Sequence, residues 1–275
     1  MLLFMKKIIL MAATAAVALS CAQEKAPKVL VLYYSQSSNT QKVAQEIGSR
    51  LGADMEAIVP VEPYDGTYQE TIERSMKERE AGVLPEIQPL TADIKDYDII
   101  FIGYPIWFGT FAPPMGSLLE KVDFSGKKLV PFCTFGSGGL DSSTRDLKEK
   151  QPGAEVLPGY GVRAARIDAV PAEVDRFLKE GGFIEGEYEK YEDFSAVRPA
   201  TEEEAAIFDA AVAGYPMIHA QAENVSSRAV TGGTEYLFEA KDIPWNPEQA
   251  EMARTIKIYV LALEGKDPEF TQVLR

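Results

Sequence analysis

Six consecutive small polar residues interrupt an apolar stretch that resumes at once with helical spacing: Ser35, Gln36, Ser37, Ser38, Asn39 and Thr40. This first loop carries four hydroxyls and two amides, and it contains neither Lys nor Arg. The first N–H groups of a helix have no partner within the helix and attract anions. Such a loop suits one terminal phosphate monoester held by many hydrogen bonds. The alternative interpretation is an ordinary capped turn in which Asn39 or Thr40 opens the helix.

A second segment, residues 103–114 with the sequence GYPIWFGTFAPP, carries four aromatic side chains between an apolar stretch and a helix start marked by two prolines. An aromatic plane at the ligand-binding edge of a sheet suits stacking on a flat ring. Core packing explains one or two of the four aromatics, and we expect Phe111 to be such a case. This second loop therefore predicts a binding surface for a planar ligand.

A third segment, residues 134–141 with the sequence TFGSGGLD, contains three glycines. Without side chains the backbone can approach a ligand closely and offer its N–H groups to an electron-rich edge. A glycine-rich loop is a weak signal alone. Together with the first two loops, this third loop predicts a ligand with a phosphate, a flat ring and a polar edge.

Several other chemistries are absent from the sequence. Neither the glycine-rich Lys-Ser/Thr loop of nucleotide triphosphate sites nor G-x-G-x-x-G occurs. The single histidine, His219, has no neighbouring Cys, His or Asp cluster that would bind a metal. Cys133 lies in the apolar sequence LVPFC and is predicted to be a small core residue, with a nucleophile as the less favoured alternative.

Charge and length set further bounds. A net charge of −14 and a pI near 4.7 argue against nucleic acid and against adsorption to anionic lipid. A chain of 275 residues, 46% of them hydrophobic, can bury a sizeable core in one or two domains.

The elements that must position the loops alternate along the chain. Strands are predicted at residues 28–34, 55–59, 99–104, 128–134 and 155–157, and helices at 41–51, 69–81, 113–122, 142–150 and 172–179. Strands that are apolar throughout are typical of a parallel sheet covered by helices on both faces. We therefore expect an α/β fold, a doubly wound five-stranded parallel sheet with the three loops at its ligand-binding edge.

The N-terminal residues predict export. Lys6 and Lys7 precede an apolar run, residues 8–19, which has the length of a signal-peptide core, and residues 1–21 are expected to be the signal peptide. The end of this run, Ala-Leu-Ser-Cys, resembles the lipobox of bacterial lipoproteins, which implies lipidation at Cys21, a tether at residues 22–27 and a periplasmic or cell-envelope location. An ordinary cleaved signal with an incidental cysteine is the alternative.

The character of the sequence changes after Gly182. Residues 183–198 form an acidic segment that is predicted to be an exposed linker. A helix is predicted at residues 202–213, followed by strands at 217–222, 235–239, 255–263 and 270–274. This pattern predicts a small α+β domain at residues 199–275.

The three loops, in this order, resemble segments of the flavodoxin family. The first loop is similar to its phosphate loop, usually Ser/Thr-x-Thr-Gly-Asn-Thr, and the segments GYPIWFG and PFCTFGSG look like GYPIWWG and PFxTxGxSG of a bacterial flavodoxin-like branch. The resemblance covers residues 28–182 and implies FMN as the cofactor. It implies these cofactor-binding residues: Ser35, Gln36, Ser37, Ser38, Asn39, Thr40, Pro105, Ile106, Trp107, Phe108, Gly109, Thr134, Phe135, Gly136, Ser137, Gly138 and Gly139.

The resemblance also implies individual roles. Ser35, Ser37, Asn39 and Thr40 would hold the phosphate, Trp107 would stack on the isoalloxazine, and the backbone of residues 136–139 would contact its pyrimidine edge. No side chain is expected to act as acid or base, since the electron transfer is the chemistry of the cofactor.

Two positions depart from the family pattern. Ser38 stands where the family usually has glycine, so a positive φ there would cost about 1 kcal/mol. Phe108 replaces a tryptophan and keeps an aromatic face.

Residues 199–275 resemble the cystatin fold. The segment from Arg228 to Phe238 is similar to its Gln-Val-Val-Ala-Gly-Thr-Asn-Tyr segment, but Ala229 stands in place of the inhibitory glutamine. The resemblance implies a cystatin-like domain and gives little support to protease inhibition.

Three functions are therefore expected from the sequence. The favoured one is an exported, lipid-anchored FMN electron carrier whose partner is a redox protein or a small-molecule electron acceptor, with no nucleic acid and with membrane contact only through the anchor. The alternatives are an NAD(P)H-quinone reductase and a protein-binding or protease-inhibiting lipoprotein on a flavin-empty scaffold.

Overall fold

The structure is a computed structural model that describes residues 26–244 and 253–275. The predicted signal peptide, the candidate lipidation site Cys21 and most of the tether lie outside the described residues, so export and anchoring stay predictions. Within the two described ranges, no helix has both the length and the apolar character that crossing a membrane requires.

A parallel sheet forms the centre of the first part of the chain. Its strands are β1 Val29–Tyr33, β2 Asp54–Ala57, β3 Ile99–Trp107, β4 Thr110–Phe111, β5 Lys128–Phe135, β6 Glu155–Val156 and β7 Tyr160–Arg163. The order is β2-β1-β3-β5, with β6 and β7 both beside β5, and every pairing except that of β4 is parallel. The strand order reverses between β1 and β3, so the predicted doubly wound sheet is confirmed.

Helices cover both faces of this sheet. They are α1 Asn39–Leu51, α2 Tyr68–Ala81, α3 Pro113–Lys121, α4 Leu140–Lys150 and α5 Val170–Glu180. On one face, Val43 and Ile47 of α1 share a core with Val174 of α5. On the other, Leu118 of α3 and Leu147 of α4 pack together. The spacing of four residues between Val43 and Ile47 puts both on one side of α1, and the double burial explains why the strands are apolar throughout.

The sheet departs from the sequence prediction next to two of the candidate loops. β3 was expected to end at Tyr104, but it continues through Pro105 to Trp107 and turns back as β4. Proline is usually absent from central strands, because it has no N–H to donate. Pro105 nevertheless pairs with Thr134 in parallel register. The strand next to β5 was expected only at residues 155–157. Most of the pairing with β5 is instead made by β7, which was not predicted because Gly161 interrupts its apolar pattern.

The C-terminal module is an antiparallel sheet packed against one helix. It comprises β8 Arg198–Pro199, α6 Glu202–Val212, β9 Ala220–Val230, β10 Gly233–Asp242, β11 Arg254–Leu263 and β12 Glu269–Leu274. The strand order is β12-β11-β10-β9-β8. Phe208 of α6 meets Phe238 of β10 edge-on, with ring centroids 5.2 Å apart, in a separate hydrophobic core. α6 starts with a capping box between Thr201 and Glu204, as the acidic first turn indicated.

The strand predicted at residues 217–222 overlaps only the beginning of β9, so most of this strand was missed. The strand begins at Ala220 and runs to Val230 through a polar stretch in which Val225 faces the core. Polar residues on the solvent side weakened its apolar signal. The tight turn at Gly232, which has φ of 74°, then joins β9 to β10.

The segment 183–198 is less exposed than its acidic composition indicated. Tyr191 is half-buried, with the Arg176 guanidinium of α5 3.7 Å from its ring centroid and that of Arg228 of β9 at 5.3 Å. Phe194 packs edge-on against Tyr259 of β11. These aromatic contacts attach the segment to both parts of the chain.

Candidate functional site

Direct contacts join the three predicted loops at the carboxyl edge of the parallel sheet. The hydroxyls of Thr40 and Thr134 form a buried hydrogen bond of 2.8 Å between the first and third loops. Gly139 of the third loop lies so close to Ile106 of the second loop that a Cβ would be 2.6 Å from the isoleucine Cγ2. The convergence predicted from the strand order is therefore present in the fold.

The first loop enters α1 through a left-handed residue. Ser38 has φ of 63° and ψ of −3°, and it is the N-cap of α1 without a side-chain capping bond. A strain cost was predicted for a positive φ at this position, and the positive φ is present. A side chain in this conformation costs about 1–2 kcal/mol, which glycine would avoid.

The backbone N–H groups of the first loop are unpaired. In the described part of the chain, none of the six N–H groups of residues 35–40 donates a hydrogen bond. The first turn of α1 contains no acidic residue. A left-handed residue followed by a helix forms a concave set of N–H groups that binds anions, and the helix dipole adds to this attraction. The loop therefore offers an uncompensated partial positive charge.

Side chains of the first loop divide into two groups. Gln36 is bound to the protein, because its amide oxygen accepts from Tyr34 Oη at 2.6 Å and its amide nitrogen donates to Tyr64 O at 2.5 Å. Thr40 is buried against the third loop. Ser35 Oγ accepts from the N–H of Gln41 at 3.2 Å.

The other loop residues stay at the surface. Ser37 is exposed and Asn39 is half-buried, and a long contact of 3.5 Å joins Asn39 Nδ2 to Ser37 Oγ. Asn39 is the first residue of α1, as the alternative interpretation expected, but the N-cap is Ser38 and it makes no side-chain capping bond.

The second loop is a tight hairpin between β3 and β4. Trp107 pairs with Thr110, and the two central residues, Phe108 and Gly109, have φ of 51° and 84°. Both angles are positive, as a two-residue type I′ turn requires, and asparagine or glycine usually fills such positions. Phe108 is nevertheless 47% exposed. Phe111, which was expected to pack in the core, is buried.

Trp107 belongs to an aromatic cluster. Its ring meets Tyr34 at a centroid distance of 6.1 Å and Tyr64 at 5.2 Å, both nearly perpendicular. Burial raises the pKa of both tyrosines well above its ordinary value, and for Tyr64 the hydrogen bond to Glu78 adds to this. Both phenols are therefore neutral and fix the tryptophan by edge contacts. Sequence reasoning missed Tyr64, whose signal was one aromatic in the loop after β2.

The carbonyl groups of Gly136, Ser137 and Gly139 in the third loop accept hydrogen bonds. Gly136 O accepts from Arg163 Nε at 3.0 Å, and Ser137 O accepts from the N–H of Val273 at 2.7 Å. Gly139 O accepts within the first turn of α4. None of the N–H groups of residues 136–139 donates a hydrogen bond to any described residue. The loop therefore presents unpaired donors, as the sequence predicted.

Arg163, at the end of β7, is a site residue that the sequence analysis missed. Its guanidinium lies 3.4 Å from the ring centroid of Phe270 and 5.5 Å from that of Tyr215. Burial lowers the pKa of Arg163 below its ordinary value, which is high enough that the group stays charged. No sequence pattern pointed to Arg163, because it ends β7, a strand that was not predicted.

The remaining candidate chemistries find little support. Cys133 is fully buried, and this burial raises the pKa of its thiol, so a nucleophilic role is disfavoured. Within residues 26–244 and 253–275, no three His, Cys, Asp or Glu side chains are grouped so that they could hold a metal ion. A cleft of about 320 Å³ lies beside the first loop and is lined by Tyr34, Gln36 and Tyr64.

Comparison with known proteins gives two similar solved structures and one family model. A crystal structure from Bacteroides eggerthii DSM 20697 is 30% identical, covers 54% of this chain and 96% of its own, and has a TM-score of 0.47. A flavoprotein in complex with FMN from Lactobacillus acidophilus NCFM is 27% identical, covers 56% of this chain and 100% of its own, and also has a TM-score of 0.47. Residues 28–171, more than half of the sequence, match the family Flavodoxin_4, described as "Flavodoxin". The chain belongs to the flavodoxin family.

Proposed function

We propose that the doubly wound part of the chain, residues 28–182, binds FMN and uses it to transfer electrons. In flavodoxins, FMN binds at this switch point between β1 and β3. The observation that carries the proposal is the first loop, which contains left-handed Ser38 and no charged side chain, and none of whose six N–H groups donates to a residue that the structure describes. This arrangement fits a terminal phosphate bound through backbone donors.

The residues present fit the remaining parts of FMN. Ser35, Ser37 and Asn39 would add side-chain hydrogen bonds to the phosphate, with Thr40 holding the loop against Thr134. Trp107 would provide an aromatic face for the isoalloxazine, and its two nearly perpendicular tyrosine neighbours would hold its ring in place. The unpaired N–H groups of residues 136–139 would bind the carbonyl-rich pyrimidine edge.

The chain's own contribution is to bind and orient the cofactor. FMN supplies electron transfer when it is bound. No acid or base is assigned in the protein, because Tyr34 and Tyr64 have raised pKa values and stay neutral. The backbone donors and the neutral aromatic cluster would set the electrostatic environment of the flavin.

The proposal extends to location and to the C-terminal module. Export and lipidation at Cys21 are supported by the N-terminal sequence, and the redox partner is a protein or a small-molecule acceptor. A cystatin-like relationship is supported by the order of one helix followed by an antiparallel meander, β9 to β12. None of the contacts described above favours protease inhibition.

An FMN titration of the purified chain, followed by flavin fluorescence, tests the function. Wild type is expected to bind saturably, and Trp107→Ala should weaken binding by about 1–2 kcal/mol through lost ring contacts. Tyr68→Ala is the matched control, because Tyr68 is 82% exposed at the start of α2. Its affinity should equal that of wild type.

The outcomes separate the hypotheses. Failure of wild type to bind at tens of micromolar FMN would refute the cofactor assignment. Binding followed by NADH-dependent reduction of a quinone would identify the reductase alternative, whereas FMN binding without that turnover supports an electron carrier.

A further inference from the structure

The C-terminal module is in direct contact with the third loop. β12 runs beside this loop, and the N–H of Val273 donates to Ser137 O at 2.7 Å. Arg166, which lies between β7 and α5, forms ion pairs of 2.8 Å with Glu173 of α5 and with Glu269 of β12. The second sheet is therefore attached to the first beside the proposed flavin site.

Arg163 connects the loop and the module through a single guanidinium. Its Nε donates to Gly136 O at 3.0 Å, and its Nη1 donates to Phe270 O at 2.7 Å. The same group stacks on the Phe270 ring. A planar guanidinium with donors in fixed directions can hold two carbonyl groups in one geometry, which a lysine cannot do.

The closeness of the module explains one of the glycines. A Cβ on Gly138 would lie 2.1 Å from the carbonyl oxygen of Val273, so any side chain would push β12 away. The φ of Gly138 is not positive, so its backbone does not require glycine. We expected this glycine to admit a ligand, and the structure shows that it admits the second module.

Because each peptide group is planar, a hydrogen bond that fixes the direction of its C=O also fixes the direction of its N–H. The described peptide bonds are all trans, so the C=O of each residue and the N–H of the next point to opposite sides of one plane. Arg163 holds the C=O of Gly136, which turns the N–H of Ser137 away from Arg163. Val273 holds the C=O of Ser137, which turns the N–H of Gly138 away from β12.

We propose that the C-terminal module clamps the third loop so that the N–H groups of Ser137 and Gly138 face the flavin, with Arg163 as the positioning residue. This inference rests on the proposed FMN function and adds a role for the second module. Since the clamped loop is the form that binds, FMN binding and docking of β12 must favour each other by the same factor.

Hydrogen exchange of the full chain, measured with and without saturating FMN, tests the coupling. FMN should slow exchange in residues 270–274, although FMN is proposed to contact only the first part of the chain. Equal exchange rates in these residues with and without FMN would overturn the proposal. This readout does not depend on catalytic turnover.

Gly138→Ala tests the contact from the other direction. Its methyl group should displace β12, raise exchange in residues 270–274 without FMN, and raise the Kd for FMN about fivefold or more. Gly214→Ala is the matched control, because a Cβ at Gly214 meets nothing within 4 Å. A raised Kd without faster β12 exchange would mean that the methyl group acts on the flavin directly, and it would overturn the coupling.

Arg163→Met and Arg166→Met separate positioning from general attachment. Both arginines contact β12, but only Arg163 contacts the loop. Both variants should raise exchange in residues 270–274, but Arg163→Met should have the larger effect on the Kd for FMN. Equal effects of the two variants would overturn the positioning role. Absence of FMN binding by wild type would refute the proposed function itself, whereas wild-type binding with an unchanged Kd in Arg163→Met would refute the clamp alone.

Discussion

The first and third loops lie at the same edge of the sheet, but different parts of the protein determine their shapes. The first loop is shaped locally, by left-handed Ser38 and by the start of α1. The third loop is shaped from outside, by Arg163 and by Val273 of the C-terminal module. Both loops leave N–H groups unpaired, so the same binding property arises in two ways.

This difference teaches how far a sequence motif can be interpreted. The polar composition of the first loop already indicates what its backbone does, because the loop is built from neighbouring residues. The third loop has an equally suggestive composition, but its Gly138 is required because β12, far along the sequence, lies against it. A glycine-rich loop therefore identifies a close approach and leaves open which group approaches.

The largest predicted effect tests whether the two loops form one structural unit. Thr134→Val leaves the buried Thr40 hydroxyl without its partner and should lower the free energy of unfolding by about 1–3 kcal/mol, measured in urea. Thr40→Val should have a similar effect. The double variant should lose less than the sum, because both hydroxyls are then gone.

The exposed strand residue Thr255 provides the control, and Thr255→Val should change stability by less than about 0.5 kcal/mol. Additive losses in the double variant would show that the two loops are independent, and the description of one joined site would fail.

A second, smaller effect concerns acid and the C-terminal module, which shapes the third loop. The Arg198 guanidinium, at 2.6 Å, holds the pKa of Glu204 down at about 2, and bonds with Thr201 contribute. A carboxyl whose folded pKa lies below its ordinary 4.5 adds stability at neutral pH that is lost as the pH falls from about 4.5 towards 2. The C-terminal module should lose stability in this range.

Urea unfolding between pH 2 and pH 7 measures this loss. Glu204→Gln should cost about 1 kcal/mol at pH 7 and flatten the pH dependence. Glu203→Gln, exposed in the same helical turn, should retain the wild-type dependence. If Glu204→Gln keeps the full acid dependence, another group is responsible.

The smallest effect concerns the locally shaped loop. Ser38→Gly relieves the positive φ and should raise the free energy of unfolding by about 0.5–1 kcal/mol, less than the full strain because glycine also loses more entropy on folding. Ser37→Gly should lower it, since the φ of Ser37 is not positive. The same sign of change in both variants, measured by thermal unfolding, would contradict the strain at Ser38.

The sequence predicted the parallel sheet and the three loops because both depend on local patterns. Apolar strands and helical spacing such as that of Val43 and Ile47 are visible without knowledge of the fold. It did not predict the strand character of Pro105, which depends on pairing with Thr134 of a neighbouring strand. Tyr64 and Arg163 were missed for the same reason, since each reaches the site only through tertiary packing.

The C-terminal module shows the same division. Its capped helix start at Thr201 is a local signal and was predicted, whereas β9 was largely missed because its solvent side is polar. The individual contacts of the candidate cofactor residues with FMN stay predictions, because they depend on a ligand as well as on the chain.

The Arg163 contact also bears on how the protein folds. Arg163 and Phe270 are separated by 107 positions, yet Phe270 is held in its own sheet by nearby β11. Antiparallel neighbours joined by short connections form with little loss of loop entropy. The interface therefore joins two surfaces that are each assembled from their own segments. In kinetic terms, we therefore expect the third loop to be the last part of the site to take its final shape during folding.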